Sequence, residues 1–475
     1  MRRALVDGVR VVWDDLPGQY QAAFVVGCGA RDEDLDQLGL TSLVLDLALD
    51  AVDSDEDDSA TDWMATLVAR SGLPDEVAAY FADCCAALAD PPEEDLDDLF
   101  GSSAGCRDPW ASLLSRRLGR FGPGLLRWPN VDRRKFTADE VRAHVARYFT
   151  AGNTVLALSG PPPEGLRLPL PPGPAVARPD PPDLRWRRGW YTDEVDGVGV
   201  AINGTVGAPA LALQLVLAER VAAALLRDGL EYRVTPMWTP LDRDHVDFGL
   251  TLQPPDEYSK PAHATVARLL WQELRRLASA TPDRGEIEDA LGDVEPEPMD
   301  SDDEDILLDQ VSDRLYGAAQ RELFGVSDDV ADLATAEVSP GDVLSAAASC
   351  LATATMVVPA GTDVDLAGMS RTRCPVSTFV PAGVVLEPLS RSFRRRLHKA
   401  GAAERLILGD DGVCLVAADG SVHTFPMADL LVIEDGELVM LGNVAHGCLV
   451  NISAFGGRSM LADRLPVRRY RGRRR

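Results

Sequence analysis

The sequence lacks any Cys-x-x-Cys pair: its eight cysteines stand at 28, 84, 85, 106, 350, 374, 414 and 448. Its six histidines are isolated too, so none forms a pair at zinc spacing. In a chain of 475 residues with no secretion signal, that scatter points to buried, reduced thiols rather than a disulfide framework. No run approaches the roughly 18 apolar residues that a membrane helix needs, which argues against a transmembrane segment. The opening MRRALVDGVRVVW leads straight into a short alternating strand rather than an apolar leader, and the expected location is the cytoplasm. Basic residues are also few, 47 against 75 acidic ones for a net charge of −28. Such a surface does not suit nucleic acid as the main partner.

What remains is a soluble, globular composition, 46% hydrophobic and 26% charged. The length suits two to four domains at roughly 150 residues each. Residues 8–13, GVRVVW, read as a first strand, and residues 20–26 as a second that pairs with it across a turn containing Pro17 and Gly18. Residues 27–49 then read GCGARDEDLDQLGLTSLVLDLAL. This is a strand end, an acidic loop, and a helix opened by Gly39 with Leu40, Leu43, Val44, Leu47 and Ala48 at helical spacing. A strand over 63–69 follows, then a helix from Pro74 with the stripe Val77, Tyr80, Phe81, Cys84 and Leu88. Thr137 and Glu140 form a capping box for a helix carrying Val141, Val145, Tyr148 and Phe149. Asn153 and a strand over 154–159 close the unit.

Prolines crowd residues 161–182 and predict a stiff, extended connector. Beyond it the plan repeats. A strand over 198–203 precedes an alanine- and leucine-rich helix over 209–226, then LLRDGLEYRV, then strands over 234–239 and 245–252. Helices over 262–278, 286–294 and 306–324 follow, and a last helix and an edge strand end near Gly361. Residues 404–465 change character, with short apolar strands punctuated by DDG, ADGS and EDGE turns. They predict a small twisted barrel or sandwich, with a short helix over 460–465. An arginine-rich tail ends the chain.

The strand ending V-G-x-G-x-R-x-E, followed by a glycine and a helix, resembles the opening of the insulinase, pitrilysin and mitochondrial-processing-peptidase family of zinc metallopeptidases. The ending "helix, aromatic, x-x-N, apolar strand, Gly" around Asn153 is similar to the close of that family's first domain. The resemblance covers residues 6–361 and implies an α+β fold of two tandem insulinase-like domains, followed here by a small β-rich, pleckstrin-homology-like module. The corresponding boundaries are 1–160 for the first peptidase-like domain, 161–184 for the linker, 185–361 for the second domain, 362–403 for a connector, 404–465 for the β-rich module and 466–475 for the tail.

The family helix carries H-x-x-E-H, whose histidines hold zinc on one helix face while the glutamate takes a proton from metal-bound water. Here that window reads Ser42, Leu43, Val44, Leu45, Asp46. Serine is a poor zinc ligand and leucine is no base; only Asp46 keeps an oxygen. The family's third ligand, a glutamate on a later helix, should fall near residues 99–103, where none occurs; Glu93 and Glu94 are the nearest. The expectation is therefore a chain without catalytic residues, metal or cofactor, and with no stoichiometric zinc when purified. By resemblance, Arg227 and Tyr232 match the arginine and tyrosine that contact the backbone of a bound peptide. The implied role is the silent subunit of a heterodimeric peptide-processing protease, paired with a zinc-bearing homologue around a peptide or precursor. The alternative is a non-enzymatic scaffold whose core and C-terminal module bind protein or a membrane surface.

Overall fold

The computed structural model describes residues 1–35, 37–52, 58–91, 107–128, 130, 136–177, 188–255, 262–292, 294, 304–325, 330–372, 374, 380–386, 404–417, 420–435, 438–443, 446, 448–455 and 469–471. Two mixed sheets, each with helices on both faces, make up most of it, and two smaller sheets complete the chain.

The first sheet is ordered β1-β2-β6-β3-β5-β4, from β1 (Arg2–Val6), β2 (Val9–Trp13), β3 (Gln21–Val26), β4 (Asp58–Thr61), β5 (Thr66–Ser71) and β6 (Thr154–Leu158). The two expected early strands do not pair with each other. Strand β6, buried along its whole length, lies between them, parallel to β2 and antiparallel to β3. A strand buried on both faces belongs at the centre of a sheet, and the local turn at Pro17 and Gly18 does not override that. Strand β2 instead makes a hairpin with β1, and β5 gains β4 as its neighbour. Helices α1 (Leu40–Val52), α2 (Pro74–Ala89) and α4 (Ala138–Tyr148) supply the core on one face of this sheet. There Phe24 of β3 stacks on Phe81 of α2 with ring centroids 5.7 Å apart.

The second sheet runs β7-β11-β8-β10-β9, from β7 (Gly189–Asp193), β8 (Val198–Thr205), β9 (Arg233–Pro240), β10 (His245–Gln253) and β11 (Thr355–Pro359). The closing strand, expected at an edge, is instead β11, paired with β7 on one side and β8 on the other and buried along its length, as a strand covered on both faces is. One face carries α5 (Ala208–Arg227), α6 (His263–Leu277), α7 (Arg284–Gly292), the short α9 (Ala331–Ala334) and α10 (Pro340–Cys350). Helix α5 is the one described helix long and apolar enough to cross a membrane, but it lies in this core, with Leu211, Leu213, Val216 and Leu217 almost wholly covered.

Each unit lends the other a helix. Helix α3 (Pro109–Leu118), early in the sequence, packs Trp110, Leu113, Leu114 and Leu118 on Tyr191, Val195, Ala201 and Val357 of the second unit. Helix α8 (Glu304–Phe324), late in the sequence, packs Val311, Leu315 and Ala319 on Val12, Ala23, Val25 and Val155 of the first. A central strand such as β3 is buried at every position, and apolar at all but Gln21, because both faces are covered, one by α1 and α2 and the other by α8. Under α3, Arg117 and Asp247 form an ion pair at 3.4 Å with both side chains almost completely out of solvent. Asn203 donates to the same carboxylate at 3.1 Å.

The proline-rich stretch lies against the first unit, with Leu166, Leu168 and Leu170 buried in its core; residues 178–184 fall outside the described set. The C-terminal module has two four-stranded sheets. One is β12-β13-β14-β15, from β12 (Gly383–Leu386), β13 (Arg405–Gly409), β14 (Gly412–Val416) and β15 (Val422–Pro426). The other is β18-β17-β16-β19, from β16 (Leu430–Asp435), β17 (Leu438–Asn443), β18 (Cys448–Asn451) and β19 (Arg469–Arg471). Leu406, Phe425, Val432, Leu441 and Ile452 fill the space between them. The other face of the second sheet adds Leu431, Ile433, Met440 and Leu449 to the core of the first unit, so the module is packed on the body. At Gly442 the indole of Trp128 leaves no room for a Cβ. The expected helix over 460–465 lies outside the described residues.

Candidate functional site

Glu33, at the end of the acidic loop, sets the start of α1. Its carboxylate accepts from the backbone of Gly39 at 2.8 Å and of Thr41 at 2.6 Å, in the manner of an N-cap. Gly39 supports the approach with φ +92°, a conformation that a side chain would strain. Burial pushes the Glu33 carboxyl up to about 7 despite those two donors. The acid in the V-G-x-G-x-R-x-E pattern therefore positions the helix.

On α1, Ser42 and Asp46 are half-buried on one face, one turn apart, and Leu45 is 3% exposed within the first core. A base at position 45 would have to face water on the metal; the side chain there is instead part of the buried apolar core of the first unit. Beside these positions Thr41 Oγ1 lies 3.0 Å from His144 Nε2, and Cys28 Sγ lies 3.5 Å from the threonine and 3.6 Å from the imidazole. Cysteine beside histidine is the composition of a nucleophilic dyad, but Cys28 and Thr41 are 0% exposed. A reactive thiol needs access to substrate and a way to hold its thiolate. Burial also pushes the His144 imidazole down to about 4, leaving it neutral near pH 7. The cluster is a satisfied part of the core. Glu93 and Glu94, and residues 99–103, lie outside the described residues.

Arg227 is exposed at the end of α5, and Tyr232 is half-buried just before β9. The Tyr232 hydroxyl accepts from the Ala262 backbone at 3.0 Å and lies 3.2 Å from His263 Nδ1, so its polar end is engaged at the start of α6. The adjoining β9 is one of the two edge strands of the second sheet.

A cavity of about 410 Å³ lies where α3, β7 and the C-terminal module meet. Arg116, Arg127 and Arg371 bring cations to it, with Ser112, Tyr191 and Asp193 between them. Asp193 accepts from Ser112 Oγ at 2.6 Å and from Arg127 at 2.8 Å, and the Arg116 guanidinium lies 4.9 Å from the centre of the Tyr191 ring. Burial raises the Tyr191 phenol.

On the module's side of the same cavity, Cys374, His423 and Cys448 converge, with one ligand atom from each within 4.8 Å of the others. The two Sγ atoms are 3.3 Å apart, and His423 Nδ1 is 3.3 Å from Cys448 Sγ. The Cys448 thiol, with the His423 imidazole beside it, holds the Cys374 thiol well below the usual range, while Cys448 itself is pushed up. Sequence reading missed this cluster entirely. The two cysteines are 74 residues apart and the histidine is 25 from Cys448, so no short spacing motif announces them.

No protein-family model matches the sequence, and no curated protein matches it. Solved structures do. The inactive domain of a peptidase M16 from Pseudomonas fluorescens, 14% identical, aligns over 77% of this chain and 98% of its own with a TM-score of 0.56. A chain of Complex III2 from Candida albicans, also 14% identical, aligns over 75% and 94% with a TM-score of 0.54. The periplasmic protease PqqL of Escherichia coli, 11% identical, aligns over 90% of this chain but 55% of its own length, with a TM-score of 0.53. At such identities the likeness is one of architecture, and the architecture is that of the insulinase-like M16 peptidases.

Proposed function

We propose that this chain is a non-catalytic insulinase-like subunit that pairs with a zinc-bearing homologue in the cytoplasm and supplies part of the chamber enclosing a peptide or precursor. The observation that carries this is Leu45, 3% exposed on a helix that keeps its Glu33-capped entry. Its neighbours Ser42 and Asp46 stand where the motif has its histidines. The frame has been kept while the positions that hydrolysis needs hold core and weakly ligating side chains. The fold likeness to an M16 inactive domain supports the reading, as does the likeness to a chain of the multi-subunit Complex III2. A peptide would add to the edge strand β9 by backbone pairing, with Tyr232 contributing its ring and Arg227 its charge. An enclosed chamber needs a second half to exclude water and hold an extended chain in register.

The test is co-expression with a homologue that retains H-x-x-E-H. Peptide cleavage is compared for that homologue alone, for the pair, and for the pair carrying Tyr232→Ala in this chain. The expected result is a stable complex that cleaves faster than the homologue alone, with the gain reduced by Tyr232→Ala. If the chains fail to associate and the homologue is equally active without this one, the scaffold reading replaces it. The two-sheet module with its arginine-bearing β19 favours that second reading, in which a pleckstrin-homology-like unit meets a protein or membrane surface.

A further inference from the structure

We propose that Cys374, His423 and Cys448 hold one zinc ion that pins the C-terminal module to the α+β body. The three donors arrive from both sides of that seam. Cys374 lies on the segment after the second unit, which is tied to β7 by Thr372 N donating to Trp190 O at 2.7 Å and Trp190 N donating to Ser370 O at 3.1 Å. His423 is on β15 and Cys448 on β18, one from each sheet of the module.

The distances favour metal over a disulfide. A sulfur–sulfur bond is about 2.0 Å, and the two Sγ atoms stand 3.3 Å apart. A tetrahedral zinc with bonds of about 2.3 Å to sulfur and about 2.0 Å to nitrogen sets its ligand atoms about 3.5–3.8 Å from one another. The observed 3.3 Å separations of Cys448 Sγ from Cys374 Sγ and from His423 Nδ1 are a few tenths of an ångström inside that spacing. A small outward adjustment admits the ion. The donor set selects its chemistry, since two thiolates and an imidazole suit zinc rather than magnesium or calcium.

The imidazole is already oriented for the purpose. His423 Nε2 is 3.3 Å from Ser421 Oγ, while Nδ1 faces Cys448. A proton held on Nε2 and donated to the serine leaves the Nδ1 lone pair free for a metal, the outer support that ligating histidines commonly have. Both cysteines bind as thiolates, which balance the charge of the ion, and any thiol proton still held is released to solvent on binding. All three donors line the cavity of about 410 Å³, whose lining also includes the exposed His446. Among the described residues no other group of three or more cysteine, histidine or carboxylate side chains comes together in this way.

The experiment uses the full chain purified without chelator and under reducing conditions. Zinc is measured by mass spectrometry, and in parallel cobalt is substituted and its thiolate charge-transfer absorption recorded. One zinc per chain is expected, with that absorption present on cobalt. Cys374→Ser, His423→Gln and Cys448→Ser should each lower zinc content at least tenfold, and Asp46→Ala should leave it at one. The cobalt spectrum of the unaltered chain keeps the test decisive if a variant fails to fold. Metal-free protein with both thiols titratable, a Cys374–Cys448 disulfide, or zinc lost with Asp46→Ala but retained by the cysteine variants would each overturn the proposal. The first two of these outcomes leave the silent-subunit reading standing; the third removes both.

Discussion

Helix α1 and the cavity at the C-terminal seam are opposite cases of how chemistry relates to sequence. On α1 the local pattern is easily read, from the glycine-rich strand end through Glu33 to Gly39, yet Leu45 at the position of the base is part of the core. At the seam no local pattern exists, yet three soft donors from segments 74 residues apart meet within 4.8 Å. A helix shows its motif in one short window because its neighbours in space are neighbours in sequence. A site between sheets depends on register and docking, which leave no mark at any single spacing. The lesson is that losing a motif says nothing of donor sets assembled elsewhere in the same chain.

The sharpest way to break this comparison is to put the base back. Leu45→Glu places a carboxylate in a 3% exposed position among leucines. Lost apolar burial and an unpaired buried acid should together cost about 4 kcal/mol, read as a lower urea midpoint with an unchanged slope. A variant of undiminished stability would mean that position 45 reaches water, and that the loss of the motif is more superficial than the packing indicates.

The next test concerns pH, because two groups around Thr41 pull in opposite directions. Glu33 titrates at about 7 in the fold against 4.5 ordinarily. In that window the folded chain keeps a proton that the unfolded chain has released, so raising the pH weakens the fold. His144 titrates at about 4 against 6.5. Between those values the unfolded chain binds a proton that the folded chain refuses, so lowering the pH weakens the fold. Each effect amounts to about 3 kcal/mol when complete, and the two largely offset between pH 4.5 and 6.5. Glu33→Gln should therefore show stability rising with pH across that range, and His144→Gln should show it falling up to pH 7. Denaturation midpoints across the range check both signs, and parallel profiles in the two variants would rule out this opposition.

How much of this was legible beforehand follows from the same physics. Period 3.6 and a capping box were enough for α2, α4, α5 and α6, because helices are specified locally. The α+β units and the β-rich module after them were visible in the proline cluster and the turn-rich C-terminal rhythm. The order β2-β6-β3 was not, since β6 reaches the sheet from more than 120 residues after β3 and only its full burial marks it as central. The exchange of α3 and α8 was hidden for the same reason: both look like ordinary amphipathic helices, and nothing in the spacing of Leu113 or Val311 says which sheet they cover.

A smaller effect bears on the seam itself. A Cβ at position 442 would run into the indole of Trp128, so Gly442→Ala should push the module off the body or displace the ring, at about 2 kcal/mol. Tryptophan fluorescence should shift together with the thermal midpoint. An unchanged spectrum and midpoint would show that the module is only loosely applied, and the zinc-pinned seam would then have to hold without this contact.

The smallest expected change is at Tyr232, where it separates a structural role from a binding one. Its hydroxyl accepts the Ala262 N–H at 3.0 Å at the start of α6, and the site is half-buried. Removing the oxygen in Tyr232→Phe hands that N–H to water at a cost of about 1 kcal/mol, with the ring and its packing retained. If the tyrosine serves only the helix start, the variant should lower the thermal midpoint slightly and leave peptide affinity of the assembled pair untouched. A peptide that uses the ring gives the same result for Tyr232→Phe but a raised KM for Tyr232→Ala beyond what its stability loss explains. One that uses the hydroxyl must take it from Ala262 or His263, and then Tyr232→Phe alone raises KM. Measuring KM and thermal midpoint side by side for both substitutions therefore decides which end of this side chain, if either, faces the chamber.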